Sequence, residues 1–360
     1  MLLNTVPINV DGICAVVSDK IIPVEEYCKG LASPKKLRKL INTTGFESLS
    51  IADPDVCCSD MCVQAAEHLL ALTNRGGVKR FLREEIGALI FVTQSSDYRV
   101  PATAYTMQER LGLNDALVAF DINLGCSGFV YGLYVASSLL SNLGDKKVLL
   151  CCGDVGIRCG KPTGTTDSVI FGDAGAAAVI SKAEPDKKTL FNINSYGERW
   201  RCLYSKMGGD KILKESLTKE PVPDFDLYRS DELNHMDGMG IMDFTMNEVV
   251  DNINELVSAA GLSKDDIGAY LFHQPQKLLV DDMATKLELN ADSVIANAQH
   301  IGNTSSASIP LLLTEIGSAW NERSNKRVLM SGFGVGLSVA SVVMDLDDTI
   351  CLETKHYEQS

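Results

Sequence analysis

Along the chain, short uninterrupted apolar runs alternate with longer stretches in which apolar residues return every three or four positions. Residues 88–93, 148–152, 270–272 and 339–344 are runs of strand length, and an unbroken apolar run of that length predicts a strand covered on both faces. The stretches 247–260 and 280–287 carry helical periodicity instead. So does the segment after Gly125-Cys126-Ser127-Gly128, where Phe129, Val130, Leu133, Ala136, Leu139 and Leu140 recur at helical spacing behind an apolar strand signal that opens at Phe120. Strands alternating with helices predict an α/β protein whose sheets are covered by helices.

The pattern also repeats. EIGALIFVT from Glu85 reads against DIGAYLFHQ from Asp266, 181 residues on, and DKKVLLCCGDVG from Asp145 reads against NKRVLMSGFGVG from Asn325, 180 residues on. Two matches at nearly one offset, half of a 360-residue chain, indicate an internal duplication. It predicts two halves, 1–185 and 186–360, related by a pseudo-two-fold axis, so that equivalent loops face one another.

The duplication turns three weak signals into one constellation. Val92 ends the repeated strand in the first half, and Cys126 follows 34 residues later; His273 holds the equivalent position in the second half, and Asn303 follows 30 residues later. Cys126 and Asn303 thus fall on corresponding strand-to-helix turns, with His273 at a strand end nearby. The thiolate is the reactive form of cysteine, and the exposed N–H groups and positive dipole end of a helix N-terminus are expected to lower the pKa of Cys126. Gly125 and Gly128 are expected to permit the sharp turn and keep the approach to sulfur clear.

Composition narrows the function classes. A hydrophobic content of 45% with 22% charged residues is ordinary for a globular protein, and a net charge of −14 argues against a nucleic-acid surface. The densest basic run, Lys35-Lys36-Leu37-Arg38-Lys39, reads as a solvated helix face. No positively charged leader precedes the first apolar residues, and no run approaches the roughly 18 apolar residues of a membrane span. The expectation is a soluble, cytoplasmic protein with no membrane partner. Eleven cysteines, an odd number with adjacent pairs at Cys57-Cys58 and Cys151-Cys152, fit a reducing compartment rather than a disulfide framework. Cys57, Cys58 and Cys62 have no second Cys/His pair at zinc spacing and are expected to be buried or capping thiols. No metal or cofactor is expected.

Taken in order, the Cys126 turn, the run FGDAGAAAV from Phe171, His273-Gln274, Gly302-Asn303-Thr304-Ser305 and Gly332-Phe333-Gly334-Val335-Gly336 resemble the β-ketoacyl-acyl-carrier-protein synthase III family of the thiolase superfamily, along nearly the whole chain. The resemblance implies a duplicated thiolase-like fold, a layered α-β-α-β-α sandwich, in a homodimer. It implies that Cys126 accepts an acyl group as a thioester, and that His273 and Asn303 assist decarboxylation of a malonyl thioester, whose carbanion attacks the acyl group. The backbone N–H groups of Cys126 and Val335 would form the oxyanion hole, and Phe333 would pack beside His273. Residues 172–175 are read as packing and turn geometry. Lys277 and Lys286 would face an acidic acyl carrier protein.

The departures from that pattern matter equally. Lys39 and Thr43 stand where the family sandwiches a coenzyme A adenine between tryptophan and arginine, and Glu47 replaces a basic residue; no stacking sandwich forms from these side chains. Pro275-Gln276 alters the run after His273. Val100, before Pro101, replaces a bulky residue that closes the acyl pocket across the dimer in short-chain enzymes, which points to a larger or branched acyl group. Three other readings stay open at this level. One is an acyltransferase of the same fold acting on a hydroxyl or amine, in secondary or glycan and lipid metabolism. A hydroxymethylglutaryl-type synthase is disfavoured because Glu84 and Glu85 precede their strand rather than follow it. A non-catalytic partner subunit would have no need of the three reactive residues.

Overall fold

The computed structural model describes residues 1–30, 33–73, 77–156, 170–205 and 234–359. Its principal strands are β1 (Leu2–Asn4), β2 (Ile8–Val17), β3 (Ile86–Val92), β4 (Val118–Ile122), β5 (Lys147–Asp154), β6 (Ala174–Lys182), β7 (Thr189–Ser195), β8 (Ala269–Phe272), β9 (Arg327–Gly334) and β10 (Ser338–Asp345). The helices that matter below are α1 (Pro34–Thr44), α2 (Cys58–Leu70), α3 (Thr103–Arg110), α4 (Gly128–Leu140), α5 (Val250–Ala259), α6 (Lys277–Lys286) and α7 (Ser308–Ile316). The apolar runs become strands because nothing in them asks for water: every residue of β3 and β8 is buried.

Strand order repeats between the two large sheets. One sheet runs β2-β6-β5-β3-β4 and the other β1-β7-β10-β9-β8. In both, the strand pair matched in sequence is parallel, β3 with β5 and β8 with β9, and an antiparallel hairpin partner follows, β6 or β10. Even the register agrees, with Phe91 opposite Cys151 and Phe272 opposite Ser331. The termini depart from simple halving. β1 joins the second sheet through β7, and the C-terminal strands Ile350–Cys351 and Lys355–His356 pair with β2 in the first.

Helices and sheets stack in five layers. α4 and α7 lie between the sheets and share one core with residues of both, including Ile90, Leu150, Leu271 and Met330. Residues Ser308–Thr314 of α7 are all buried, as expected of a helix with no polar face. Outside the first sheet pack α2 and α3, around Met61, Ala65, Leu69 and Met107. Outside the second pack α5 and α6, around Ile253, Leu256, Val280 and Met283. The turns that open α4 and α7 therefore meet inside the molecule. Among the described residues, no helix is long and apolar enough to cross a membrane.

Candidate active site

Cys126 sits in the turn between β4 and α4, almost fully buried. Gly334, at the end of β9, lies directly on it: a Cβ there would come within 2.8 Å of the Cys126 Cβ and 3.0 Å of Sγ, and its φ of 153° is one that side-chain-bearing residues rarely adopt. Gly125 and Gly128 are required for packing rather than for an open approach, since added methyls would meet the Gln94 side chain at 2.4 Å and Val92 at 2.4 Å. The expected drop in thiol pKa is not found. Burial pushes the thiol up to about 11, helped by the charge of Asp154; hydrogen bonds from Ser305 and from the backbone of Val335 and Cys126 offset only part of this. Desolvation of the thiolate outweighs the helix terminus. Cys126 therefore rests as a thiol.

His273 follows β8 and continues its ladder, donating its N–H to the Ser331 carbonyl at 2.9 Å. Its buried ring meets Phe333 edge-on at 5.6 Å and 83°, so Phe333 does pack beside it. The Ser308 hydroxyl lies 2.8 Å from Nδ1. Burial lowers the imidazole pKa to about 3, against a weaker opposing hydrogen bond with the Ser305 backbone. The ring is neutral at neutral pH.

Asn303 is held by backbone pairing with a loop of the first half. Its N–H donates to the Ile170 carbonyl at 2.8 Å, and its carbonyl accepts from Gly172 N–H at 2.9 Å. Gly172 permits this because a Cβ would stand 1.8 Å from the Ile301 carbonyl oxygen; the 172–175 segment serves packing, as its sequence suggests. The Asn303 Oδ1 accepts from the Ser305 N–H at 2.9 Å, and among the described residues its Nδ2 makes no hydrogen bond.

Ser305 touches all three groups. Its hydroxyl lies 4.0 Å from the Cys126 sulfur, its N–H orients Asn303, and its backbone offsets part of the effect of burial on the His273 ring. Its φ of 52° is left-handed, uncommon for a residue that is not glycine. Ser305 closes the Gly302–Ser305 motif but no role for it is read from the sequence, nor any for Asp154, the buried carboxylate at the end of β5 whose charge acts on the thiol. The β3/β5 pairing offered a clue to Asp154 only through its place at a strand end.

The other candidates lie apart from this cluster. Lys277 and Lys286 open and close α6; Lys277 pairs with Asp281 on the same helix, and Lys286 donates to Asn247 at 3.2 Å. Val100 is 80% exposed, on the surface of the chain rather than beside Cys126. Lys39 and Thr43 lie one turn apart on α1, where the Thr43 hydroxyl bonds the Lys39 carbonyl at 2.9 Å. Cys58 and Cys62 are buried, and their thiols hydrogen-bond to Ser95 and Cys152 carbonyls at 3.4 Å. Among the described residues no cluster could hold a metal ion.

Residues 120–197 match the family model described as 3-oxoacyl-[acyl-carrier-protein (ACP)] synthase III, and residues 257–346 match the model of its C-terminal portion. A β-ketoacyl-[acyl-carrier-protein] synthase III of Syntrophomonas wolfei is 31% identical over 306 residues, 85% of this chain and 88% of that protein. The chain belongs to the ketoacyl synthase III family. A Streptococcus agalactiae member is also 31% identical, across 84% of this chain and 88% of its own. The fold is the family's thiolase-like one: the crystal structure of a 3-oxoacyl-(acyl-carrier protein) synthase from Burkholderia xenovorans superposes with a TM-score of 0.88 at 32% identity, covering 99% of both chains. The first matched stretch contains Cys126, and the second contains His273, Asn303 and Gly334.

Proposed function

We infer that the chain catalyses a decarboxylative Claisen condensation between an acyl group carried on Cys126 and a malonyl thioester. The Cys126 sulfur attacks the acyl thioester, losing its proton as the leaving thiol departs, and the tetrahedral oxyanion is held by the N–H groups of Cys126 and Val335. The malonyl thioester carbonyl then binds between Asn303 Nδ2 and His273 Nε2. In the tautomer this reading takes, Nδ1 of the neutral ring accepts from the Ser308 hydroxyl, 2.8 Å away, and Nε2 carries the hydrogen. The bond to the carboxylate breaks, carbon dioxide leaves, and its electron pair becomes the enolate that these two donors stabilise. The enolate carbon attacks the acyl carbonyl, the carbon–sulfur bond breaks with its electron pair on sulfur, a β-ketoacyl thioester departs, and the Cys126 thiolate takes a proton from solvent to restore the thiol.

The observation that carries this reading is the convergence of the three groups on Ser305, in a chain of this family. It favours condensation over transfer to a hydroxyl or amine, because a free amide donor beside a neutral histidine suits an enolate. The test is release of carbon dioxide from malonyl carrier protein with a β-ketoacyl product of matching mass. Acyl transfer without carbon dioxide would overturn it.

The malonyl donor in this reading is carrier-protein bound, docking on Lys277 and Lys286; reversing both charges weakens its binding. The starter is larger than acetyl or branched, with Val100 bordering the pocket of a partner subunit in a homodimer. Exposure of Tyr98, Val100, Tyr105 and Val118 at the β4 edge supports that face as the dimer contact. A chain-length panel in which only acetyl starters react would refute the pocket assignment. The halves divide near 185/186, and the free cysteines support a cytoplasmic location.

A further inference from the structure

Asp154 is a buried carboxylate that the reaction above does not use. It closes β5 and occupies the position that, 180 residues on, is Gly334 against Cys126. Oδ1 accepts from Gln94 N–H at 2.7 Å, from the Thr93 hydroxyl at 3.2 Å and from the Ser95 hydroxyl at 3.4 Å. Oδ2 accepts from the Ser306 hydroxyl at 3.0 Å and Ser306 N–H at 3.4 Å. Each oxygen therefore meets a backbone N–H, a group that only donates. A carboxylate satisfies both, whereas an asparagine in its place would turn its own N–H₂ toward one of them.

The two sides of this bridge belong to different halves of the site. Gln94 packs against Gly125, one residue before the nucleophile. Ser306 follows Ser305, whose left-handed backbone aims its N–H at the Asn303 Oδ1 and so leaves Nδ2 for substrate.

We propose that Asp154 is a positioning residue for condensation, clamping the Ser305–Ser306 turn to the Gln94 loop so that Asn303 presents its amide to the enolate. It touches no substrate and acts through Ser306 and Ser305. The inference rests on the condensing reading and deepens it. Because acylation of Cys126 relies on the N–H groups of Cys126 and Val335, the two half-reactions should respond differently when the clamp is removed. A second consequence is electrostatic. Asp154 is the charged group acting on the Cys126 thiol among the described residues, with His273 neutral and Cys58 a buried thiol. Removing its charge should make that thiol easier to ionise.

The experiment compares wild type, Asp154→Asn and Ser306→Ala in three measurements: acyl adduct on Cys126 by intact mass, carbon dioxide and product formation from malonyl carrier protein, and the pH profile of Cys126 alkylation. For Asp154→Asn we expect acylation within a few fold of wild type, condensation down about 10- to 100-fold, and an alkylation profile displaced to lower pH. Ser306→Ala should show the same split at a few fold, with its alkylation profile unmoved because the charge remains. Equal losses in both half-reactions, or an unmoved alkylation profile in Asp154→Asn, would overturn the assignment. Should Asp154→Asn fail to fold, Ser306→Ala decides: condensation impaired with acylation kept supports the role, and wild-type condensation overturns it. The alkylation arm reads Asp154 even if the wild type releases no carbon dioxide, an outcome that would sink the condensing reading alone.

Discussion

The two halves share strand order and register but treat the same edge differently. In the first, β4 runs alongside β3 for five residue pairs before the chain turns into Cys126 and α4. In the second, the corresponding pairing shrinks to a single bridge between Tyr270 and Val294. Residues 295–304 are thereby released to form the loop that carries Asn303, stitched to the first half through Ile170 and Gly172. A duplicated scaffold gives two equivalent turns facing each other; shortening one edge strand lets the second turn reach across. In the proposed reaction, nucleophile and enolate donors come from different copies of one unit, and they need not fail together.

The largest effect is expected at Cys126, the proposed nucleophile. Cys126→Ala should abolish both acyl adduct and condensation, a loss of at least about a thousandfold, measured by intact mass and product formation. His273→Ala and Asn303→Ala should cross over: the adduct on Cys126 persists while condensation falls about 10²- to 10³-fold, the size of effect seen when one oxyanion donor is removed. If either variant also loses the adduct, the division of labour between the halves is wrong.

The seam gives a smaller effect, read in stability. Gly172→Ala would force a methyl against the Ile301 carbonyl, backbone against backbone, where no side chain can yield. It should cost about 2–4 kcal/mol of unfolding free energy in denaturant and loosen the Asn303 loop. A wild-type denaturation midpoint with unchanged condensation would mean that the loop is held from elsewhere.

Much of this was legible in the sequence because it depends on period and repetition. The unbroken apolar runs at 88–93 and 148–152 became β3 and β5, and the offset of 180–181 brought His273 into the register of Val92. What stayed hidden depends on distance between remote residues. Ser305 and Asp154 are ordinary letters until the fold sets one against the sulfur and the other beneath Ser306. The thiol pKa departs from the sequence expectation for a related reason: a helix start is written in the sequence, whereas the depth of burial that reverses its effect is a property of packing. The exchange of β1 and the C-terminal strands between sheets also left no periodic trace.

The finest distinction between the halves is their response to pH, and it has opposite signs. The Cys126 pKa is raised from an ordinary 9.0 to about 11, so the unfolded chain releases this proton first and folding stability falls as pH climbs from about 9 toward 11. The His273 pKa is lowered from 6.5 to about 3, so the unfolded chain binds this proton first and stability falls as pH drops from about 6.5 toward 3. Other buried thiols, Cys14 and Cys151 among them, share the alkaline limb. The contributions are therefore read as differences between variants. Cys126→Ser should flatten only the alkaline limb of Tm against pH, and His273→Gln only the acid limb, each by a few degrees. In parallel, Cys126 alkylation in the wild type should keep rising about tenfold per pH unit through pH 9, while condensation at saturating substrate shows no loss near pH 6.5 from protonation of His273. An alkylation plateau below pH 9 would place an ionised thiol in the resting site and remove the contrast between the two halves.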